Sequence, residues 1–379
     1  MASNKLGHLV GRLARNSTVR GNRHTVHHAP ERKALISKTS GVDPERAEHG
    51  LRRMISHIGK TLAIRPGIGK AQLGFGFFAN VIDVGNGKGL AISTDGVGTK
   101  ILVAQMMERY DTVGIDCVAM NVNDVLCVGA EPLTMVDCIT VDEVNGYLLE
   151  ELGKGLYLGC ADAGINLVGG ELAQVDEMIK GIRSGDCFDL IGTCVGLVDL
   201  NRILDGSAIK AGDVVVGLSS SGVHSNGFTL ARNALFENAS YRVDSYVPEL
   251  GRTLGDELLQ PTLVYASAVM EMLGRNMEIH GMAHITGGGL LNIARLQAEV
   301  GYNLDSLPEP QPIFDLIRSA GSVSYPEMFE TFNMGIGYCL VVSNRHAEQV
   351  VKLAAANGIK AATIGQVVED SRRRIFIEQ

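Results

Sequence analysis

Tryptophan is absent from this chain, and aromatic residues make up only 5% of it. A protein that grips single-stranded nucleic acid by base stacking needs more aromatic surface than that. No apolar run reaches the roughly 18 residues of a membrane span, so no membrane partner is expected. The seven cysteines show no C-x-x-C pairing and lie mostly in apolar segments. They read as small buried hydrophobes in a reducing compartment, not as a zinc site or a disulfide framework. Positive charge is scarce except at one end. Residues 1–38 hold eight Lys/Arg against a single acid, Glu31, and since the whole chain is −8 the remainder carries −15. An acidic body excludes nucleic acid as a partner, because phosphate neutralisation needs a basic surface.

The basic N-terminus reads as a disordered extension over residues 1–36. A short organellar transit peptide is the alternative, on the spacing of Leu6, Leu9, Val10 and Leu13. The expected location is therefore cytoplasmic, with organellar targeting as the alternative. What remains is long enough for two domains, 37–200 and 201–379, joined near the polar stretch Asn201–Gly212. In the first, strands are expected at 77–84, 89–94, 133–139, 165–169 and 188–200, with helices at 44–60, 101–109, 112–128 and 144–163. In the second, strands at 214–218, 281–285, 336–342, 362–367 and 374–377 alternate with helices at 227–236, 255–273, 288–296, 312–319 and 346–357. The fold class is mixed α/β.

Glycine is plentiful, 46 residues, and clusters in short motifs. Ser93-Thr-Asp-Gly-Val-Gly-Thr-Lys100 follows an apolar strand. Asp95 would sit rigidly at the strand end, Gly96 and Gly98 would let backbone approach a phosphate, and Thr99 and Lys100 could donate to anionic oxygens. It lacks the spacing of a P-loop. Asp116, Asn123 and Asp124 lie on an otherwise apolar helix, where a charge must be paired or bind metal. Glu171 follows another strand and a glycine pair. Asp95, Asp124 and Glu171 together indicate Mg²⁺ with a polyphosphate. Ser219–Asn226 packs serines, Asn226 and His224 at a helix start, an anion site, and Thr286-Gly-Gly-Gly289 repeats the pattern.

In order along the chain, Ser-Thr-Asp-Gly-Val-Gly-Thr-Lys, Asn-Val-Asn-Asp, Gly-Ala-Glu-Pro, Val-Gly-Gly-Glu, Ser-Ser-Gly-Val-His-Ser-Asn-Gly, His-Ile-Thr-Gly-Gly-Gly and Phe-Asn-Met-Gly-Ile-Gly resemble the phosphoribosylformylglycinamidine cyclo-ligase (aminoimidazole ribonucleotide synthetase) family. The resemblance runs from about Lys38 to the C-terminus. It implies a homodimer whose N-terminal domains form a β-barrel, and a C-terminal domain of mixed sheet and helices. It also implies ring closure of formylglycinamidine ribonucleotide, with ATP phosphorylating the amide oxygen. The implied partners are ATP and a small anionic ribonucleotide, with Mg²⁺ as cofactor and a monovalent cation left open. Lys100, His224 and Asp95 would be catalytic. Lys38, Gly74, Gly76, Gly96, Gly98, Thr99 and Asn123 would bind ATP, and Ser225, Asn226, Thr286, Gly287 and Gly288 the ribonucleotide. Asp95, Asp124 and Glu171 would hold the metal. The chain departs from the family pattern at Ser37 and Thr39 beside Lys38, and at Leu172, Asp176 and Leu263. Two alternatives remain: a non-catalytic nucleotide-binding paralogue, and another ATP-using member of the superfamily such as thiamine monophosphate kinase or selenophosphate synthetase.

Overall fold

The computed structural model describes residues 17–19 and 44–378. The first strand, β1 (Ser17–Val19), lies at the edge of the second of two large sheets. The rest of the expected 1–36 extension, and Lys38, lie outside the described residues.

The first sheet comprises β2 (Asn80–Gly85), β3 (Lys88–Gly96), β4 (Glu131–Val141), β5 (Asn166–Gln174) and β6 (Phe188–Asp199), in the order β2-β3-β6-β4-β5. All neighbours are antiparallel except β4 and β5, which are joined through the helix Gly146–Ala163. Parallel strands need such a crossover. That helix packs with the helix Asp111–Cys127 over one face of the sheet. The two helices approach closely because they meet at glycines. A Cβ on Gly155 would stand 1.9 Å from the Asp111 carbonyl oxygen, and one on Gly114 would stand 2.5 Å from the Leu156 nitrogen. Gly155→Ala should therefore cost about 1–3 kcal/mol by overpacking, seen as a lower urea midpoint at unchanged slope. Among the described residues the opposite face is uncovered and carries Ile92, Val136 and Ile191, and β5 ends the sheet with its outer edge unpaired.

The second sheet comprises β1, β7 (Val214–Ser219), β10 (Ile279–His284), β11 (Gly301–Leu304), β12 (Ile336–Val342), β13 (Ala361–Val368) and β14 (Ile375–Ile377), ordered β1-β14-β11-β13-β7-β12-β10. Strand β12, flanked by β7 and β10, is buried along its whole length, which suits its near-continuous apolar sequence. A small hairpin pairs β8 (Tyr246–Val247) with β9 (Arg252–Thr253). The mixed α/β class expected from the sequence is the observed one.

Three expected helices differ. The span 255–273 is split into Leu254–Leu258 and Ala266–Gly274. Pro261 lacks an N–H and breaks the helix, and the freed backbone is bonded elsewhere. The span 227–236 begins as the helix Phe228–Arg232 and widens to a π-helix at Asn233–Asn238, and 288–296 is a 3₁₀ turn, Gly289–Arg295. The helix Tyr325–Thr331 was not expected, although Ser324 and Glu327 form a capping box that signals it.

Candidate active site

The helix Asp111–Cys127 belongs to the first sheet and faces the second. Its residues 116, 120, 123 and 124 recur at spacings of three and four, so they share one side. That side makes the seam. Asp116 accepts hydrogen bonds from the Thr262 backbone N–H at 2.7 Å and from its hydroxyl at 2.6 Å. Its second oxygen pairs with Lys100 Nζ at 2.7 Å, both side chains being 0% exposed. Lys100 also donates to the Gln260 carbonyl at 2.7 Å. Asn123 donates to the Leu263 carbonyl at 2.9 Å and accepts from the Tyr265 N–H at 3.0 Å. The irregular backbone around Pro261 thus finds in these side chains the partners a helix would have supplied. The expected ATP contact Asn123 and the expected catalytic Lys100 are both enclosed in this seam. Burial pulls the Lys100 ammonium below its usual pKa, and Asp116 opposes the shift.

The open end of the seam holds two carboxylates. Asp95 closes β3, where the Asn121 side chain pins the backbone by accepting from the Asp95 N–H at 2.9 Å and donating to its carbonyl at 3.1 Å. Asp95 Oδ1 accepts from the Gly96 N–H at 2.8 Å. Asp124 lies 2.9 Å from His284 Nδ1 and 3.4 Å from Ser93 Oγ. Burial raises the Asp95 carboxyl above the usual range and the charge of Asp124 adds to the rise, while the Gly96 N–H, His284 and Arg295 oppose it. Two neighbouring, largely dehydrated carboxylates that repel each other are stabilised by a shared cation, and their hard oxygens suit Mg²⁺. The residues present fit that ion.

Glu171 does not join them within one chain. Across the sheet Asp95 pairs with Gly192, Gly192 with Asp137, and Asp137 with Gly170, so Glu171 is one residue out of step and points from the opposite face. It also stands three strands from β3, about 14 Å at the usual spacing. Among the described residues no group of three or more His, Cys, Asp and Glu side chains could hold a metal ion. Of the three carboxylates expected to hold the metal, Asp95 and Asp124 are neighbours within one chain and Glu171 stands apart.

The remaining expected residues fall around this pair in two sets. Gly98 has φ +71° and open space where a side chain would stand, and Thr99 leads into the helix Lys100–Met107 with its hydroxyl 3.3 Å from that of Thr229. Gly76 also needs positive φ, and Gly74 in the same loop has open space beside it. On the second sheet, Ser225 meets the Thr262 hydroxyl at 3.1 Å. A Cβ on Gly287 would lie 3.2 Å from Asn226 Oδ1, so the Ser219–Asn226 loop and the Thr286–Gly289 turn adjoin. Thr286 accepts from Asn292 at 3.3 Å, and Gly288 takes φ +102°. His224 is buried with φ +62°, and its Nε2 accepts from the Ser221 N–H at 3.1 Å. Burial, then His284 and Lys100, push its pKa well below the usual value, so its ring is neutral and shapes the loop from beneath. Leu263 packs partly buried against the core, and Leu172 of β5 lies beside Ile139 of β4.

Two residues were missed. His284 was visible only as the head of its glycine motif, and the site role of Arg295 left no signal in the sequence. Arg295 donates to the Gly76 carbonyl at 3.0 Å and the Phe77 carbonyl at 2.7 Å, with its guanidinium carbon 3.8 Å from the Phe78 ring centroid.

Residues 78–198 match the family model described as AIR synthase related protein, N-terminal domain, and residues 210–378 match the corresponding C-terminal domain. A phosphoribosylformylglycinamidine cyclo-ligase of Methanocaldococcus jannaschii is 44% identical over 334 residues, covering 88% of this chain and 92% of the relative. One from Methanothermobacter thermautotrophicus is 43% identical over 330 residues, covering 87% and 93%. Among solved structures, the thiamine-monophosphate kinase of Stenotrophomonas maltophilia K279a superposes with a TM-score of 0.57 at 17% identity, covering 85% of this chain and 95% of that one. T. maritima PurL complexed with ATP gives 0.54 at 16% identity, covering 90% and 51%. At such identities the likeness is one of fold.

Proposed function

The chain belongs to the AIR synthase family, and from that premise we propose that Asp95 and Asp124 hold the Mg²⁺ of ATP in its cyclo-ligase reaction. The protein is an ATP-dependent phosphoribosylformylglycinamidine cyclo-ligase, closing the imidazole ring of purine biosynthesis. An amide oxygen is a poor leaving group, and phosphorylation turns it into a good one before the amidine nitrogen attacks the same carbon. Phosphate then departs. The protein's part is positioning and charge.

The observation that carries this reading is the mutually repelling pair Asp95 and Asp124 at the mouth of the seam. Mg²⁺ would neutralise it and screen charge on the transferring phosphoryl group. Ser93 and His284 fix the oxygens of Asp124. Gly98 and Thr99 present backbone N–H groups to polyphosphate oxygens at a helix start, while the Gly96 N–H holds Asp95 beside them. Ser225, Asn226 and Thr286–Gly288 form the adjoining cradle for the ribonucleotide. Lys100 acts from behind, holding the first turn of its helix through Asp116.

We assign residues 37–200 to ATP binding and dimerisation and 201–379 to the second domain, on the two sheets' separate strand sets. The uncovered sheet face and the open β5 edge suit barrel closure with a second copy. Val136→Glu, placing a charge at the centre of that face, should halve the mass read by light scattering. An unchanged mass would remove this face from the interface. A cytoplasmic location suits seven thiols with no disulfide. No helix among the described residues is long and apolar enough to cross a membrane.

The test is to incubate the purified protein with ATP, Mg²⁺ and formylglycinamidine ribonucleotide and to follow ADP and the aminoimidazole product. ADP release that requires the ribonucleotide supports the reading. Nucleotide binding without turnover points to a non-catalytic paralogue.

A further inference from the structure

The segment Leu73–Ala79 belongs to no helix or strand. A loop of this kind must have its backbone bonds supplied from outside. At its base Asn80 donates to the carbonyls of Leu73 at 3.1 Å and Gly74 at 3.3 Å. At its tip the donors come from across the seam. Arg295 forks onto the Gly76 and Phe77 carbonyls and lays its guanidinium on the Phe78 ring. Arg295 ends the 3₁₀ turn that starts at Gly289, directly after the Thr286–Gly288 cradle. It is therefore rooted beside the Thr286–Gly288 turn and grips a loop of the other half of the chain. A planar fork with two carbonyls and a ring face below it cannot be replaced by a lysine, which offers a point charge without the fork.

We propose that Arg295 is a positioning residue, a latch that holds the Gly74–Phe78 loop over the nucleotide and ties it to the ribonucleotide cradle. The latch rests on the reading of Asp95 and Asp124 as the nucleotide–metal pair only for what lies beneath the loop. The contacts themselves do not depend on it. Its role differs from that of a group that touches the reacting atoms, because its bonds go to protein backbone.

Arg295→Met and Arg295→Lys test the latch by two readouts on the whole protein. In hydrogen exchange without ligands, amides of residues 74–79 should lose protection in both variants, while those of β3 and β12 keep theirs. In turnover, KM for ATP should rise about 10–100-fold, the usual effect of losing a supporting contact, with kcat changed less than about threefold. The Lys variant, which keeps the charge, should resemble the Met variant. Unchanged exchange at 74–79, or a KM for ATP within twofold of wild type, overturns the proposal. So does a general loss of protection across both sheets, which would mark Arg295 as a plain fold determinant. A separate measurement keeps the two readings apart. If Asp95→Asn binds Mg²⁺–ATP as wild type does, the metal assignment falls, while selective deprotection of residues 74–79 in Arg295→Met still upholds the latch.

Discussion

Asp95→Asn should lower turnover by about a hundredfold to a thousandfold or more, the range seen when a transition-state charge loses its support, yet leave the ligand-free protein at least as stable as wild type. The two halves of this result have one cause. Asparagine keeps an oxygen for the Gly96 N–H but removes one of two repelling charges, so metal affinity falls while the apo fold gains. The sign of the pH effect follows. The folded-state pKa of Asp95 is raised above its ordinary value of 3.8, so the fold prefers this carboxyl protonated. The cost of ionising it is absent below about pH 3.8 and grows as pH rises to the raised folded value, above which it is constant. Thermal melts of the ligand-free pair across that acidic window should converge at its low end and separate above it, with the variant higher. Added Mg²⁺–ATP should reverse the order at neutral pH by stabilising only the wild type. A variant that turns over normally would remove Asp95 from the metal site.

Lys100→Met should cost about 3–5 kcal/mol of folding stability, the range for stranding one member of a buried ion pair. Asp116 would be left with a charge and no counter-ion in a seam closed to water, and the Gln260 carbonyl would lose its donor. The measurement is a denaturant midpoint at unchanged slope. The double variant Lys100→Met with Asp116→Asn should recover part of the loss. Asparagine still accepts from Thr262, and no unpaired charge remains. If the double variant is as unstable as the sum of the singles, the pair is not coupled as described. A surface phosphate ligand would behave otherwise, losing activity without stability.

Much of this was legible in the chain. Strand-to-glycine punctuation located β3 and its Asp95, because a rigid apolar run ending in Asp-Gly is a local signal. The charges on the apolar helix Asp111–Cys127 announced that something must partner them, and the helical spacing puts them on one side. What that side faces is a tertiary fact. Lys100 and Asn123 look like ligand groups in sequence, and only the tertiary structure shows that both also tie the seam. Apolar periodicity through 255–273 predicts one helix, whereas the structure breaks it around Pro261. The place of Glu171 was hidden for a different reason. Its motif resembles that of Asp95, but strand parity sets its face, and parity depends on the register of β4 and β5. Arg295 bonds a loop more than two hundred residues earlier, a distance at which sequence spacing carries no information.

Through their side chains Asp116, Asn123 and Asp124 also bond to Thr262, Leu263, Tyr265 and His284, four residues in the other half of the chain. Neither half can melt without stripping partners from the other, so the two matched family regions should not denature separately. Calorimetry should show one transition, with a van't Hoff enthalpy equal to that of the full chain. The same ties leave no hinge between the sheets. Whatever closes over the nucleotide must be a loop, while the two walls of the cleft stay where folding put them.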